Sequence, residues 1–463
     1  MSKFKEDFKM KKVLSMFLSL AMMLTMFAST PLTAQAATYT TTVDGLKYTI
    51  DTKAGTATVT GWDGSVLTAD ILSEVEGYTV TGIGSKAFHW CTSLTSVTIP
   101  DSVTSIGDEA FSECHSLTAV TIGDSVTFIG NWGFCNCYSL TAVTIPNSVT
   151  AIGGRAFAGC TSLTAITIGD SVTIIGGADA FGGCTSLKSV YINDLTTWCN
   201  IDFGNYYSNP LWNGVNLYLN DQIVKELEIP DDVTEIKKEV FANCKSITSV
   251  TIPDSVKSIG QSAFYNCTAL TNVTMGDSVQ TVGKTAFGNC AALTTVEFGN
   301  SVISIGESAF SGCKSLNGVE LPDSVTSLSK YAFYNCDALT EITIGRGLKS
   351  FGDFSLGYYN DGSGERKRDT MTIKSYDDSA TQIYAEENRF EFVSLGPLKV
   401  RPQGDVNDDG KISVADARKI VVAIAKNDTQ ALLEFGDVNK DGKISVADAR
   451  KIVVAIAKND FNF

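Results

Sequence analysis

A phenylalanine followed three residues later by cysteine, and by leucine or isoleucine three after that, occurs ten times in this chain. The phenylalanines are Phe88, Phe111, Phe134, Phe157, Phe181, Phe241, Phe264, Phe287, Phe310 and Phe333. Their step is 23 residues, with one step of 24 (Phe157 to Phe181) and one of 60 (Phe181 to Phe241). A fixed period of this length signals a solenoid, because one such unit cannot bury its apolar side and exists only by stacking on its neighbours. A chain of 463 residues is too long for one compact core, but a solenoid grows in one dimension and escapes that limit. Within one period, Leu117-x-x-Val120-x-Ile122 supplies a β-strand core, followed by Val126, Ile129 and the Phe and Cys positions.

The flanks depart from the period. Residues 37–87 alternate in a strand-like way, through Leu46-x-Tyr48-x-Ile50 and Thr56–Thr60, and are expected to form the N-terminal β cap that an open-ended solenoid requires. The solenoid is expected over 88–352, with an insertion at 193–222. That insertion carries Trp198, Phe203, Tyr206, Tyr207, Trp212 and Tyr218, which could form a recognition patch or a small local core. Gly357–Asp369 reads as an exposed loop. Met371–Leu395 reads as strand, helix (Ser379–Asn388) and strand (Phe390–Val393), making 353–395 a C-terminal cap, with 396–403 a short linker. Residues 1–36 have the form of a secretory signal: a lysine-rich start, the apolar run Val13–Phe27, then Ala34-Gln35-Ala36. The run is short for a membrane span, and the C-terminus shows no anchor pattern, so a secreted protein is expected.

The net charge is −15, which argues against a nucleic-acid partner. Ten of the twelve cysteines (Cys91, Cys114, Cys137, Cys160, Cys184, Cys244, Cys267, Cys290, Cys313, Cys336) share one repeat phase. Side chains stacked in one column point in parallel, which is poor disulfide geometry, so buried free thiols acting as small hydrophobes are expected. Only Cys135 and Cys199 fall off that column.

No catalytic constellation emerges. Gly-Asp-Ser occurs at 123–125, 169–171 and 276–278, but in one repeat phase, alternating with Pro-Asp-Ser, which marks a turn. The two histidines, His89 and His115, read as surface or packing residues. Strand threonines such as Thr95, Thr98, Thr118, Thr121, Thr141 and Thr144 suit cross-strand ladders. The aspartates Asp101, Asp124, Asp170, Asp254, Asp277 and Asp323 are expected to open turns by bonding their own backbone rather than to hold cations.

The repeats resemble the BspA-like leucine-rich repeat proteins, through a pattern that Leu94–Phe111 (LTSVTIPDSVTSIGDEAF) follows nearly throughout. The resemblance implies a β-rich leucine-rich repeat solenoid with a parallel sheet on its concave side, and a surface role in recognition or adhesion. The ligand is not implied.

The chemistry lies at the C-terminus. Asp405, Asn407 and Asp409 stand at positions 1, 3 and 5 of a calcium loop, with Gly410 at its sharp turn. The Lys411 carbonyl, Ser413 (through water) and Asp416 complete the set. Asp437, Asn439, Asp441, Gly442, Lys443, Ser445 and Asp448 repeat it 32 residues later, so two Ca2+ ions are expected. Each loop leads only into a following helix, over 414–426 and 446–458. The pair resembles a type I dockerin, a small all-α calcium-binding module, over 404–463. That resemblance implies docking to a cohesin of a scaffoldin in a cellulosome, the assembly for polysaccharide degradation. The cohesin-binding positions it implies are Val414, Ala415, Val421, Val422 and Lys426, with Val446, Ala447, Val453, Val454 and Lys458. Residues 404–428 and 436–460 differ only at Asp408 against Lys440, so both helices offer one surface. The expected protein is a secreted, extracellular, non-enzymatic cellulosome component held at the cell surface through its partner. It presents a recognition domain for an unnamed ligand, without nucleic-acid binding or membrane insertion. The alternative is a surface adhesin for host or plant protein or glycan.

Overall fold

The computed structural model describes residues 38–64, 67–368, 370–397, 406, 412–426, 438 and 443–458. The expected signal at 1–36 lies outside them, as does most of the linker 396–403. Among the described residues no helix is long and apolar enough to cross a membrane.

Each turn of the solenoid carries two parallel strands where the sequence announced one. A longer strand such as Ser96–Thr98 pairs in register with Ala119–Thr121 of the next turn, Val97 opposite Val120. A two-residue strand, Ser105–Ile106, pairs likewise with Phe128–Ile129. Alternation decides what each presents: Val97, Val143 and Ile166 are buried, while Thr98 and Thr144 face solvent. The two-residue strand has too short an apolar signature to be recognised from pattern alone.

Between the strands runs a column of phenylalanines. The rings stack in two runs of five, Phe88 to Phe181 and Phe241 to Phe333, at centroid spacings from 4.8 to 5.5 Å. The turns come this close because glycine follows most of the two-residue strands, as at Gly107, Gly130, Gly153, Gly260 and Gly306. A Cβ on Gly130 would lie 2.4 Å from the backbone of Gly107 one turn earlier. The turn after each phenylalanine needs a left-handed residue, met by Asn136, Asn243, Asn266, Asn289 and Asn335, with φ between 56° and 62°.

Polar side chains stitch turn to turn. The Thr118 hydroxyl donates to the Thr95 carbonyl at 3.0 Å, and Thr127 to Thr104 at 3.0 Å. The twelve cysteines are free, and all but the half-buried Cys91 are buried. They are more than small hydrophobes, because the Cys114, Cys137 and Cys160 thiols donate to the Phe88, Phe111 and Phe134 carbonyls at 3.0–3.2 Å. Burial pushes the Cys91 thiol up to about 11 and the Cys184 thiol to about 12. The aspartate column works differently from expectation. The Asp101 carboxylate accepts from the backbone N–H of Asp124, and Asp254 from that of Asp277, each on the next turn rather than its own. The stacking brings that amide to 2.7–2.8 Å, a proximity that sequence spacing cannot show.

The N-terminal cap is an antiparallel meander of Thr38–Val43, Leu46–Asp51 and Thr56–Trp62. Within the expected 37–87, however, Thr68–Asp70 already pairs parallel with Ser96–Thr98, and Tyr78–Ile83 with Ser105–Ile106. One turn therefore precedes Phe88. At the other end, Thr372–Asp377, a helix Ala380–Glu387 (N-capped by Ser379) and Glu391–Pro397 extend the longer-strand sheet, and the last strand enters the expected linker by two residues. The expected loop 357–369 contains a hairpin, Tyr358–Asn360 against Glu365–Lys367.

The insertion is a divergent turn. Asp202–Phe203 continues the short-strand sheet beside Ile174–Ile175, and Asn216–Leu219 continues the longer one beside Ser189–Ile192. Trp198 and Phe203 are buried and in edge contact at 5.5 Å. The Trp198 Nε1–H donates to the Val240 carbonyl at 3.2 Å, joining the two runs of the solenoid. Tyr206 and Tyr207 remain exposed, so the segment is partly core and partly surface.

Candidate functional site

The C-terminal module is built on two helices, Val414–Lys426 and Val446–Lys458, which are identical in sequence. Each begins with a capping box. The Ser413 hydroxyl accepts from the Ala415 N–H at 3.2 Å, and the Asp416 carboxylate accepts from the Ser413 N–H at 2.7 Å. Ser445 and Asp448 repeat this at 3.2 and 2.9 Å. The second oxygen of Asp416 accepts from the Val406 N–H at 2.6 Å, tying the loop's beginning to its end. Both aspartates are fully buried.

The apolar contacts repeat the same symmetry. Val406, Ala417 and Ile420 pack with Val438, Ala449 and Ile452, with Ile412, Ile424 and Ile444 alongside. The Lys451 ammonium donates to the Val438 carbonyl at 2.7 Å. On the opposite side Val414, Val421, Val422, Val446, Val453 and Val454 are exposed, and Ala415 and Ala447 with them. Six exposed valines in two short helices are unusual where no partner is meant. Of the expected calcium ligands, Ser413, Asp416, Lys443, Ser445 and Asp448 are described. Asp405, Asn407, Asp409, Lys411, Asp437, Asn439 and Asp441 lie outside the described residues, as do the side chains of Lys426 and Lys458.

Elsewhere the expected surface residues form structural contacts. His115 lies 2.8 Å from the Glu113 carboxylate and stacks on Tyr138 with centroids at 4.7 Å. His89 is 3.9 Å from Glu109. Sequence reasoning missed the row that results, Trp90, His115 and Tyr138. His115 and Tyr138 share one repeat position and Trp90 stands at another, and the three rings meet only across turns.

The two strands per turn, the phenylalanine column and the 23-residue offset define a leucine-rich repeat solenoid, followed by a paired-loop helical module. More particularly, the chain belongs to the BspA type leucine rich repeat family, whose model matches residues 81–208, 214–307 and 280–363 in six copies. A dockerin type I domain matches residues 403–456. Type I dockerins are calcium-binding modules that imply a cohesin partner, and the repeats suggest a protein-binding role. Similar solved structures include a leucine-rich repeat protein from Bacteroides ovatus, 27% identical over 77% of this chain and 100% of that one (TM-score 0.47). A leucine rich cell surface protein from Faecalibacterium prausnitzii is 27% identical over 67% and 96% (TM-score 0.37). The pneumococcal vaccine antigen PcpA is 17% identical over 78% and 99% (TM-score 0.46). No curated protein matches.

Proposed function

We propose that the protein is a secreted, non-catalytic cellulosome component, docked through two calcium loops to a scaffoldin cohesin and presenting its solenoid as the recognition domain. The observation that carries this is the pairing within the C-terminal module: buried Asp416 and Asp448 on one side of each helix, exposed valines on the other. A buried carboxylate closing an all-oxygen loop fits a hard cation, and the described donors suit Ca2+. Ca2+ would offset the mutual repulsion of the acidic loop side chains. Asp416 and Asp448, with Ser413 and Ser445, would close its two sites, and Asp405, Asn407, Asp409, Asp437, Asn439 and Asp441 would supply the remaining side chains. Val414, Ala415, Val421 and Val422, with Lys426, and their counterparts Val446, Ala447, Val453, Val454 and Lys458 would meet the cohesin.

The test is a pull-down with immobilised cohesins, using the full chain and an Asp416→Ala/Asp448→Ala variant, with calcium and with chelator. Capture of the parent chain in calcium alone, lost in the variant, is the expected result. Capture unaffected by chelator and by the variant would remove the basis of the reading.

A further inference from the structure

The solenoid surface is uneven. Of the six most exposed aromatic side chains among the described residues, five (Trp90, Trp132, Tyr138, Tyr206 and Tyr207) lie on one edge, where each two-residue strand leads to the next longer strand. Tyr39 in the N-terminal cap is the sixth.

On this edge an open cleft of about 480 Å3 is lined by Asn131, Trp132, Gly154, Arg155, Gly177 and Ala178. Its position follows from the period. The only 24-residue step inserts one residue between Ile175 and Phe181, within Gly176-Gly177-Ala178-Asp179. Where earlier turns carry Asp108 and Asn131, the chain here has Gly154 and the glycine pair, which leaves bare backbone as the floor. A Cβ on Gly177 would meet nothing within 4 Å. Trp132 keeps 39% of its surface exposed, and the Arg155 guanidinium lies 4.7 Å from its ring centre. Arg155 is itself 3.8 Å from Asp179. Asn131 is fixed by accepting from the Gly154 N–H at 2.8 Å and donating to Asp108 at 3.2 Å.

An exposed indole held in place beside amide, guanidinium and carboxylate groups matches a pyranose ring. Such a ring offers C–H bonds to a π face and hydroxyls around its rim to donors and acceptors. The cleft's size lies within the roughly 300–1,000 Å3 of small-ligand clefts. Charge narrows the class. Asp108, Glu109, Glu113 and Asp179 outnumber Lys86 and Arg155 along these turns, which disfavours polyanions. Aromatic side chains flank the cleft along the edge, His115 in ring contact with both Trp90 and Tyr138 on one side and Tyr206 and Tyr207 exposed on the other. That suits a chain rather than a free monosaccharide. We infer that this edge binds a neutral polysaccharide, with Trp132 as the stacking platform and Arg155 and Asn131 as hydroxyl partners.

The experiment is affinity electrophoresis of the full-length protein in gels containing a mixed-linkage β-glucan, a xyloglucan or a glucomannan, with polygalacturonate as the charged comparison. The expected result is retardation by at least one neutral glycan and none by polygalacturonate. Trp132→Asn keeps a residue that tolerates the left-handed φ of 60° but removes the ring, and should weaken binding tenfold or more. Gly177→Leu starts from a Cβ with nothing within 4 Å and fills the cleft, and should do the same in a chain that melts like the parent. Ile174→Asn, exposed on the two-residue strands, should leave retardation unchanged. The Asp416→Ala/Asp448→Ala chain should also be retarded normally, which separates this inference from the docking reading. Retardation by polygalacturonate alone, by none of the glycans, or equally in the Trp132 and Gly177 variants overturns it. In that event a protein becomes the occupant to pursue.

Discussion

Removing one ring from the phenylalanine column tests whether the solenoid is held by stacking from turn to turn. Phe157 is fully buried between Phe134 at 5.3 Å and Phe181 at 5.5 Å, nearly parallel to both. Phe157→Ala deletes the ring and leaves a cavity that glycine-tight turns cannot close, at a cost of about 3–5 kcal/mol. Two offset-stacked pairs, each worth ~0.5–1.5 kcal/mol, place it toward the upper end. Phe88→Ala, with a ring neighbour on one side only, should cost less. With a urea slope of roughly 3 kcal/mol/M, the Phe157 midpoint should fall by about 1 M or more. Because each turn contacts only its neighbours, the damage should be local. Hydrogen exchange should show lost protection over residues 134–187 and near-parental protection beyond 241. A loss below ~1 kcal/mol, or a uniform loss along the chain, would refute the argument.

Other outcomes follow from the same structure. In the native chain a thiol reagent should reach Cys91 first and few or none of the other cysteines, against twelve after denaturation; disulfides between ladder positions in unreduced mass spectra would contradict this. Burial raises the Glu239 carboxyl above its ordinary value. Its stabilising neutral form is present at low pH and is lost as pH rises from the usual carboxylate range through the raised one. Glu239→Gln should therefore flatten that part of the stability–pH curve, and a curve parallel to the parent's would count against it. Residues 396–463 alone should gain helical circular dichroism with calcium and lose it with chelator; equal helicity would sink the calcium reading. Val421→Asp with Val422→Asp, or Val453→Asp with Val454→Asp, should each be mild in a cohesin-binding titration while all four together abolish binding. Abolition by one pair alone would mean a single fixed mode.

The period made most of the solenoid legible. Phe, Cys and Leu recur in phase, and the structure places them on the buried columns where periodicity put them. What escaped has one physical character: contacts across turns. Ser105–Ile106 is a strand only because Phe128–Ile129 lies beside it, and two residues carry no alternation to read. Asp101 bonds the amide of Asp124 because the turns are stacked, a proximity invisible to local turn rules. The insertion hid its turn because Phe203 and Leu217 keep the strand pairing while the spacing around them is lost. In the docking module, Asp416 was legible as a loop residue. Its second role as the capping-box acceptor of Ser413 was in the sequence too, as Ser-x-x-Asp, but the calcium pattern masked it.

The cysteine column gives this protein a chemical history with two phases. A newly made chain carries twelve ordinary thiols, any two of which an oxidant can couple. Once wound, eleven of them are sealed behind backbone, with thiolates scarce because burial opposes their charge. Winding and oxidation are thus in a race during folding, and a chain that loses it is trapped in cross-links the finished turns cannot hold. Production in a reducing cytosol should accordingly yield more soluble protein than export through a compartment rich in disulfide catalysts. The folded product should then tolerate an oxidising medium that its precursor could not.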